Sequence, residues 1–255
     1  MRHVPTLLGR ELAAYFFGPT AYLVLLAFQV IAWLNFWELV ERLGRPRRAF
    51  TGLDDPMVDY ISVSPGFWVA LLVAVPALTM RLLAEEKRSG TIESLLTAPV
   101  SEAEVVVAKW LAGWCMTLTL LVPFALYLPF LYYQARFRFD VGPVAALGLG
   151  LSSLLAMFAA IGVFFSAVTK NQVVAAIGTF AALFLLIFPA RLAYDYAVER
   201  RAPWAEAVRY ISVLVQTNQF ATGQFDLRYP AMHLSVAAFM LFLAAQVLRS
   251  RETTR

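Results

Sequence analysis

The amino-acid sequence predicts an all-α membrane protein with six transmembrane helices. Of its 255 residues, 60% are hydrophobic and 15% are charged, against about 45–50% and about 25% in soluble domains. Uncharged windows of about 20 residues, the length that a helix needs to cross the hydrocarbon core of a bilayer, recur along the chain. Because a soluble core could not bury this much apolar surface, we expect a single transmembrane domain over residues 1–255.

The predicted spans account for most of the hydrophobic residues. They are residues 20–37, 61–80, 104–133, 142–168, 172–190 and 230–248. A charged connector at 81–103 joins the second and third spans, and a longer segment at 191–229 precedes the last one. Inside that segment, residues 210–225 form a shorter window that contains Gln216, Thr217 and Asn218. We therefore interpret this window as a re-entrant or interfacial segment rather than as a seventh span.

Residues 1–18 predict an amphipathic helix that lies at the membrane surface. Apolar residues recur at helical spacing on the side opposite Arg10 and Glu11, at Leu7, Leu8, Leu12, Tyr15 and Phe16. Gly18-Pro19 then breaks the pattern, so the chain should turn into the first span near Thr20. The alternative is one long first span with a frayed start. No small-residue cleavage site precedes a run of spanning length, and we expect this N-terminal segment to be retained.

The sequence lacks the residue patterns of a catalytic or metal site. It has two histidines, His3 and His233, far apart and outside any zinc-binding pattern, and no phosphate-binding glycine loop or nucleophile elbow. His233, near the start of the last span, fits a helix-end or interfacial histidine better than a ligand. The single cysteine, Cys115, excludes an intramolecular disulfide. The net charge of +4, without a compact basic cluster, gives no reason to expect nucleic acid as a partner.

The predicted spans offer few polar groups. Uncharged windows of spanning length exist for all six spans, which disfavours proton relays, voltage sensing and buried ion pairs. If the protein moves a molecule, the energy should enter through a partner. The internal polar residues that could line a path are Gln29, Asn35, Thr117, Thr119 and Thr179. Each of them fits a hydrogen bond between packed helices better than a contact with a substrate.

The connector at 81–103 has more local structure than a simple tether. Ser101 and Glu104 form a capping box, which predicts that a helix starts at about Glu102 and runs into the third span. Thr91 can cap a short helix over residues 92–97, bounded by Gly90 and by a proline at 99. That helix is apolar at positions 92, 95 and 96, and we expect it to lie across the ends of two spans. The alternative is a solvated helical hairpin with snorkelling charges.

The stretch from 76 to 112, PALTMRLLAEEKRSGTIESLLTAPVSEAEVVVAKWLA, resembles the ABC-2 type permeases, the membrane subunits of ATP-driven exporters. It is most similar to the gliding-motility-type branch, in which the run R-x-x-A-E-E-K-x-x-G-T-I-E-x-L-L-T-x-P joins the second and third spans. RELAAYFFGPTAYLV at 10–24 and FATGQFDLR at 220–228 extend the resemblance, while the middle matches in hydropathy alone. The chain departs from that branch after Arg228, where YPAMHLS follows, so the branch's substrate preference is not carried over.

The resemblance implies an orientation that charge counting leaves open. It implies a multi-pass protein of the cell's inner (cytoplasmic) membrane, with the 81–103 connector and both termini in the cytoplasm and the 191–229 segment outside. It also implies that the short helix is a coupling helix, which docks in a groove of a separate ATPase subunit. The residues implied in this coupling are Glu85, Glu86, Lys87, Arg88, Gly90, Thr91, Ile92, Glu93, Leu95 and Leu96. Replacing Glu86 or Gly90 should leave membrane insertion intact but uncouple the ATPase.

The function implied by the resemblance is export by alternating access. Cytoplasmic ABC ATPase subunits would bind ATP and Mg²⁺, so no cofactor is expected in this chain, and a second copy or a related permease would complete the transmembrane part. The branch also allows an accessory subunit with an extracytoplasmic domain. An aromatic and aliphatic cavity between two copies would suit lipid-like or amphipathic cargo. The alternative is a membrane anchor that recruits an ATPase for signalling or assembly, while an intramembrane enzyme would need catalytic residues that the sequence lacks.

Overall fold

All the regular structure is helical in the residues that the computed structural model describes, which are 3–44, 65–91, 101–123, 125–127 and 141–252. In chain order the helices are α1 (Val4–Phe17), α2 (Pro19–Gly44), α3 (Pro65–Thr79), α4 (Arg81–Ser89), α5 (Glu102–Thr119), α6 (Val141–Val168), α7 (Gln172–Glu199), α8 (Ala205–Ile211), α9 (Val213–Ala221) and α10 (Arg228–Glu252). After a turn at 120–121, residues 122–123 and 125–127 are also helical. The predicted all-α class is confirmed for this part of the chain.

Five helical stretches within the described residues are long and apolar enough to cross a membrane. They are Pro19–Glu38, Pro65–Ser89, Gly142–Val168, Gln172–Glu199 and Arg228–Ser250, and they overlap five of the predicted spans. The remaining span, predicted at 104–133, lies partly outside the described residues. Its described helix α5 carries Glu102, Glu104 and Lys109 in its first half. The count of six spans therefore stays a prediction.

Helix α6 is the centre of the bundle. It packs against α3, α4, α5, α7, α9 and α10, and side chains all around it, such as Leu155, Phe158 and Val163, are fully buried. A helix that is apolar on every side is stable only in such a position or in lipid. On its α5 side, the indole N–H groups of Trp110 and Trp114 donate to the carbonyls of Ala156 and Ser152, at 2.8 and 3.0 Å. These bonds fix α5 against α6.

Helices α1 and α2 meet at Gly18, where the sequence predicts a break. Gly18 has extended backbone geometry and Pro19 begins the next helix. The guanidinium of Arg81 lies against this junction and donates a hydrogen bond to the Thr20 hydroxyl. A β-carbon at position 18 would lie 2.9 Å from an Arg81 nitrogen, so any larger residue would require the end of the Arg81 side chain to shift. The location of α1 at the membrane surface stays a prediction.

The 81–103 connector begins and ends on the same end of the bundle, which we call the loop end. Helix α4 stops at Gly90, whose φ of 76° is the left-handed conformation that glycine adopts at helix C-termini. Helix α5 starts at Glu102 under the predicted capping box, with the Glu104 amide donating to Ser101 Oγ and the Ser101 amide donating to Glu104 Oε2, both at 3.3 Å. The capping box is confirmed. The predicted short helix at 92–97 lies outside the described residues.

The opposite end of the bundle is closed by the helices α8 and α9. Helix α9 contacts α6 and α7, and its Gln216 side chain is 1% exposed. His233 of α10 forms hydrogen bonds with Gln216 Oε1 at 2.8 Å and with Ser153 Oγ of α6 at 3.0 Å. His233 lies in the second turn of α10, which fits the helix-end expectation, and these two polar partners allow the imidazole to be buried. An interfacial depth in the membrane stays a prediction. A re-entrant path for residues 210–225 stays a prediction.

Two glycines on α6 test how tightly α9 packs on it. A β-carbon at Gly150 would lie 2.2 Å from Phe220 Cδ2, whereas one at Gly148 would meet nothing within 4 Å. Phe220 is 1% exposed and cannot move aside freely. Gly150→Ala should therefore destabilise the protein by about 1–3 kcal/mol through overpacking, while Gly148→Ala should be neutral or slightly stabilising because alanine favours the helix. Thermal unfolding in detergent checks both, and equal melting temperatures for the two variants would contradict this packing.

Candidate functional site

A buried ion cluster lies at the loop end, between α1, α4 and α5. The ammonium group of Lys109 is 3.0 Å from Glu11 Oε2 and 2.9 Å from Glu86 Oε1. The Lys109 side chain is 2% exposed, and the two glutamate side chains are 11% and 19% exposed. An unpaired ammonium at such a position would cost several kcal/mol in lost hydration. The two carboxylates therefore make the burial of Lys109 possible.

Arg10 adds a more exposed cation to the same group. Its guanidinium is 3.6 Å from Glu86 Oε1 and 3.3 Å from Glu11 Oε1, with 56% of the side chain exposed. At that exposure the ion pairs contribute little energy, because water and salt screen them. The charges of Arg10, Glu11, Glu86 and Lys109, which we call the Lys109 cluster, sum to zero. The cluster joins three helices without leaving a net buried charge.

Tyr15 gives α1 a second attachment to the bundle. It lies one helical turn beyond Glu11, so the two side chains share one face of α1. The Tyr15 hydroxyl donates to the carbonyl oxygen of Leu78 at 2.7 Å, next to the end of α3. Burial raises the pKa of the Tyr15 hydroxyl well above its usual range, so the group stays protonated and keeps donating. Helix α1 is thus held by an ion pair to α4 and α5 and by a hydrogen bond to α3.

A cleft of about 830 Å³ opens beside the Lys109 cluster. Besides the cluster itself, its lining includes Arg81, Glu85 and Thr91, and Gln172 from the start of α7. Glu85, Gly90 and Thr91 are exposed along the stem of the 81–103 connector. The cleft therefore combines charges of both signs with the point at which the connector leaves the bundle.

The structure divides the predicted coupling residues into two groups. Glu86 points into the Lys109 cluster, and the Lys87 ammonium donates to the carbonyl of Ala167 near the end of α6, where the helix dipole also favours a cation. Glu85, Arg88, Gly90 and Thr91 lie at the surface. The other four, Ile92, Glu93, Leu95 and Leu96, lie outside the described residues. Helix α4 is therefore anchored by one set of its charges and presents the other set to the surroundings.

The predicted lining residues all take part in internal contacts. The hydroxyls of Thr117, Thr119 and Thr179 each donate to a carbonyl of their own helix, at 2.9, 2.6 and 2.8 Å. Gln29 donates to the Tyr127 hydroxyl, and Asn35 is 8% exposed beside Gly66. The bond of Gln29 fits the interpretation of a hydrogen bond between packed helices, whereas the three threonine bonds stay within one helix and do not test it. A role in lining a path stays a prediction.

The sequence patterns do not identify Lys109, Glu11, Arg10 and Tyr15 as site residues. The expectation that buried ion pairs are disfavoured is wrong at the loop end, because Lys109 stands one residue before the uncharged part of the third span. A signal was present, since Lys109 is the only charge in the apolar run VVVAKWLAGW. An isolated charge in such a run usually faces a partner inside the bundle. Its partners, however, come from two helices distant in sequence, which no local pattern reveals.

Taken together, the fold and the site define a class of protein. The described residues include five helices able to span a membrane, one of which is the central helix α6, and they make this a multi-pass membrane protein with a charged connector at one end. Residues 50–211 match the model of the ABC-2 family transporter protein family, so the chain belongs to that family. It is a permease, the membrane component of a transporter. No curated protein matches the chain.

The Lys109 cluster predicts a stability effect that a surface lysine would not show. In the Lys109→Met variant, Glu11 and Glu86 would face each other without their buried cation, so α1 should loosen and the protein should lose on the order of 3 kcal/mol. Thermal unfolding in lipid discs and limited proteolysis of α1 measure this loss. Lys170→Met is the matched control, since Lys170 is exposed beyond the end of α6. Equal stability of the two variants would show that the cluster does not hold α1.

Proposed function

We propose that this permease is the membrane subunit of an ATP-binding cassette exporter, driven through its 81–103 connector by separate ATPase subunits. The observation that carries the proposal is the Lys109 cluster, which ties the stem of that connector to α1 and α5. Family membership supports the association with an ATPase, because ABC-2 permeases are transport components that do not hydrolyse ATP themselves. The gliding-motility branch is part of this proposal and rests on the motif at 81–99.

The anchoring of α4 suggests how force would enter the bundle. Glu86 and Lys87 attach α4 to α1, α5 and α6, while Glu85, Arg88, Gly90 and Thr91 remain accessible for contact with a partner. A push on the connector would therefore move α4 together with α1 and α5 rather than bend a loose loop. We assign contact with the ATPase to the accessible group and to the coupling helix at 92–97. Transmission is assigned to the anchored group.

The energetics follow from linkage between two states. The permease would have two arrangements, and ATP-bound ATPase subunits would favour the one with which they make the better contacts. The size of this preference equals the difference in contact free energy between the two arrangements.

Two permease copies, or this chain and a related permease, would surround the transported molecule. The loop end and both chain termini would lie in the cytoplasm, and an accessory subunit could contact the opposite end. Cargo of lipid-like or amphipathic character would suit the apolar spans.

Gly90 offers the sharpest test of this function. Its φ of 76° is unfavourable for other residues, but a β-carbon there would meet no atom within 4 Å. Gly90→Ala should therefore insert and fold normally, while backbone strain of about 1–2 kcal/mol redirects the connector and abolishes stimulation of ATP hydrolysis. The measurement is the rate of ATP hydrolysis by the partner ATPase subunits, reconstituted with the permease in lipid discs.

The control for this experiment is Gly223→Ala at the opposite end of the bundle. Gly223 has a φ of 82°, so the same substitution introduces similar backbone strain away from the connector, together with a contact of 3.2 Å between the new β-carbon and Pro143 Cγ. Normal stimulation by Gly90→Ala would refute the coupling role of the connector. Stimulated hydrolysis without movement of any cargo in the wild type would favour an anchor that recruits the ATPase over an exporter.

A further inference from the structure

The stretch Pro65–Ser89 is long enough to be one membrane-crossing helix, but it is divided into α3 and α4 at Met80. Pro76 lies inside α3 one turn earlier and has no amide hydrogen to give to the carbonyl four residues before it. The Met80 amide still donates to the Pro76 carbonyl at 2.8 Å. The division at Met80 therefore needs a cause beyond the proline.

That cause is the hydroxyl group of Ser166, which α6 inserts into the backbone of the α3–α4 junction. Ser166 Oγ donates to the Met80 carbonyl at 2.9 Å and accepts from the amides of Leu83 and Ala84, both at 3.0 Å. In an uninterrupted α-helix the Ala84 amide would donate to the Met80 carbonyl directly. The hydroxyl takes the place of that bond, and insertions of this kind bend helices. With one donor and two acceptor sites in use, the hydroxyl is fully satisfied.

The junction is also held from a third helix. The carbonyl of Leu78 accepts from Tyr15 of α1 at 2.7 Å, and the Thr79 hydroxyl turns back to the Val75 carbonyl at 2.9 Å. A β-carbon at Gly162 of α6 would lie 2.1 Å from Thr79 Oγ1, so α6 approaches the junction as closely as a backbone can. Side chains from α1 and α6 thus satisfy backbone groups on both sides of Met80.

We propose that the α3–α4 junction is the joint at which the movement of the connector stem enters the transmembrane bundle, and that Ser166 is the positioning residue that keeps the backbone hydrogen bonding interrupted there. The stem α4 could then tilt relative to α3, because the hydroxyl satisfies the backbone groups that a bend would otherwise expose. Without the hydroxyl, the bond from Ala84 to Met80 can form and the two helices become one rigid rod. This inference rests on the proposed coupling to an ATPase.

Two variants remove the side-chain bonds with little change in volume. Ser166→Ala should restore a continuous helix, and Tyr15→Phe should free the Leu78 carbonyl from α1. Ser235→Ala is the matched control, because the Ser235 hydroxyl of α10 bonds, among the described residues, to a carbonyl of its own helix, that of Ala231. We expect Ser166→Ala to fold and to bind the ATPase, while its stimulation of hydrolysis falls several-fold. Tyr15→Phe should change stimulation in the same direction, and the control should leave it unchanged.

The decisive readout is amide hydrogen exchange of the permease–ATPase complex in lipid discs, without nucleotide and after trapping with ATP and vanadate. In the wild type, exchange at residues 79–84 should depend on nucleotide while exchange at 67–75 does not, and Ser166→Ala should lose that dependence. The inference is overturned if the stem at 85–90 responds to nucleotide but 79–84 does not, or if Ser166→Ala responds like the wild type. If no segment of the permease responds, the proposed function fails and the joint fails with it.

Discussion

The organisation of the loop end depends on one buried ammonium group. Lys109 can be 2% exposed only because Glu11 and Glu86 reach it from two other helices, at 3.0 and 2.9 Å. Neither carboxylate would stay at its low solvent exposure without that cation, since burying an unpaired charge costs several kcal/mol of hydration free energy. The requirement for mutual neutralisation therefore positions α1 and α4 against α5. The direction in which the connector leaves the bundle follows from that position and from Gly90.

The cluster and the α3–α4 junction complement each other. Ion pairs fix the stem α4 to α1 and α5, while the Ser166 hydroxyl gives hydrogen-bond partners to backbone groups at the α3–α4 junction. Helix α6 takes part at several points, because its Ser166 contacts the junction and its Ala167 carbonyl accepts from Lys87. A displacement of the stem would therefore reach the central helix α6 directly. This is an arrangement suited to a subunit whose energy comes from a partner.

Local patterns in the sequence predicted local structure well. The capping box at Ser101, the break at Gly18 and most of the apolar helices depend on neighbouring residues, so they can be deduced from the chain alone. The Lys109 cluster could not be, because its carboxylates come from helices that only the tertiary fold brings together. Ser166 shows the same limit, since a serine in an apolar helix usually bonds within that helix. The burial of His233 likewise required knowledge of Gln216 and Ser153.

The central claim is that Glu86 and Lys109 act as one unit in transmitting force between the connector and the bundle. A double-mutant cycle with Glu86→Gln and Lys109→Met, measured on permease-stimulated ATP hydrolysis in lipid discs, tests it most directly. If the claim is correct, the effects are strongly non-additive, with an interaction energy of at least about 1 kcal/mol, and the double variant is no worse than the poorer single one. Effects that add to within about 0.5 kcal/mol would show that the two residues act independently, and would contradict the account.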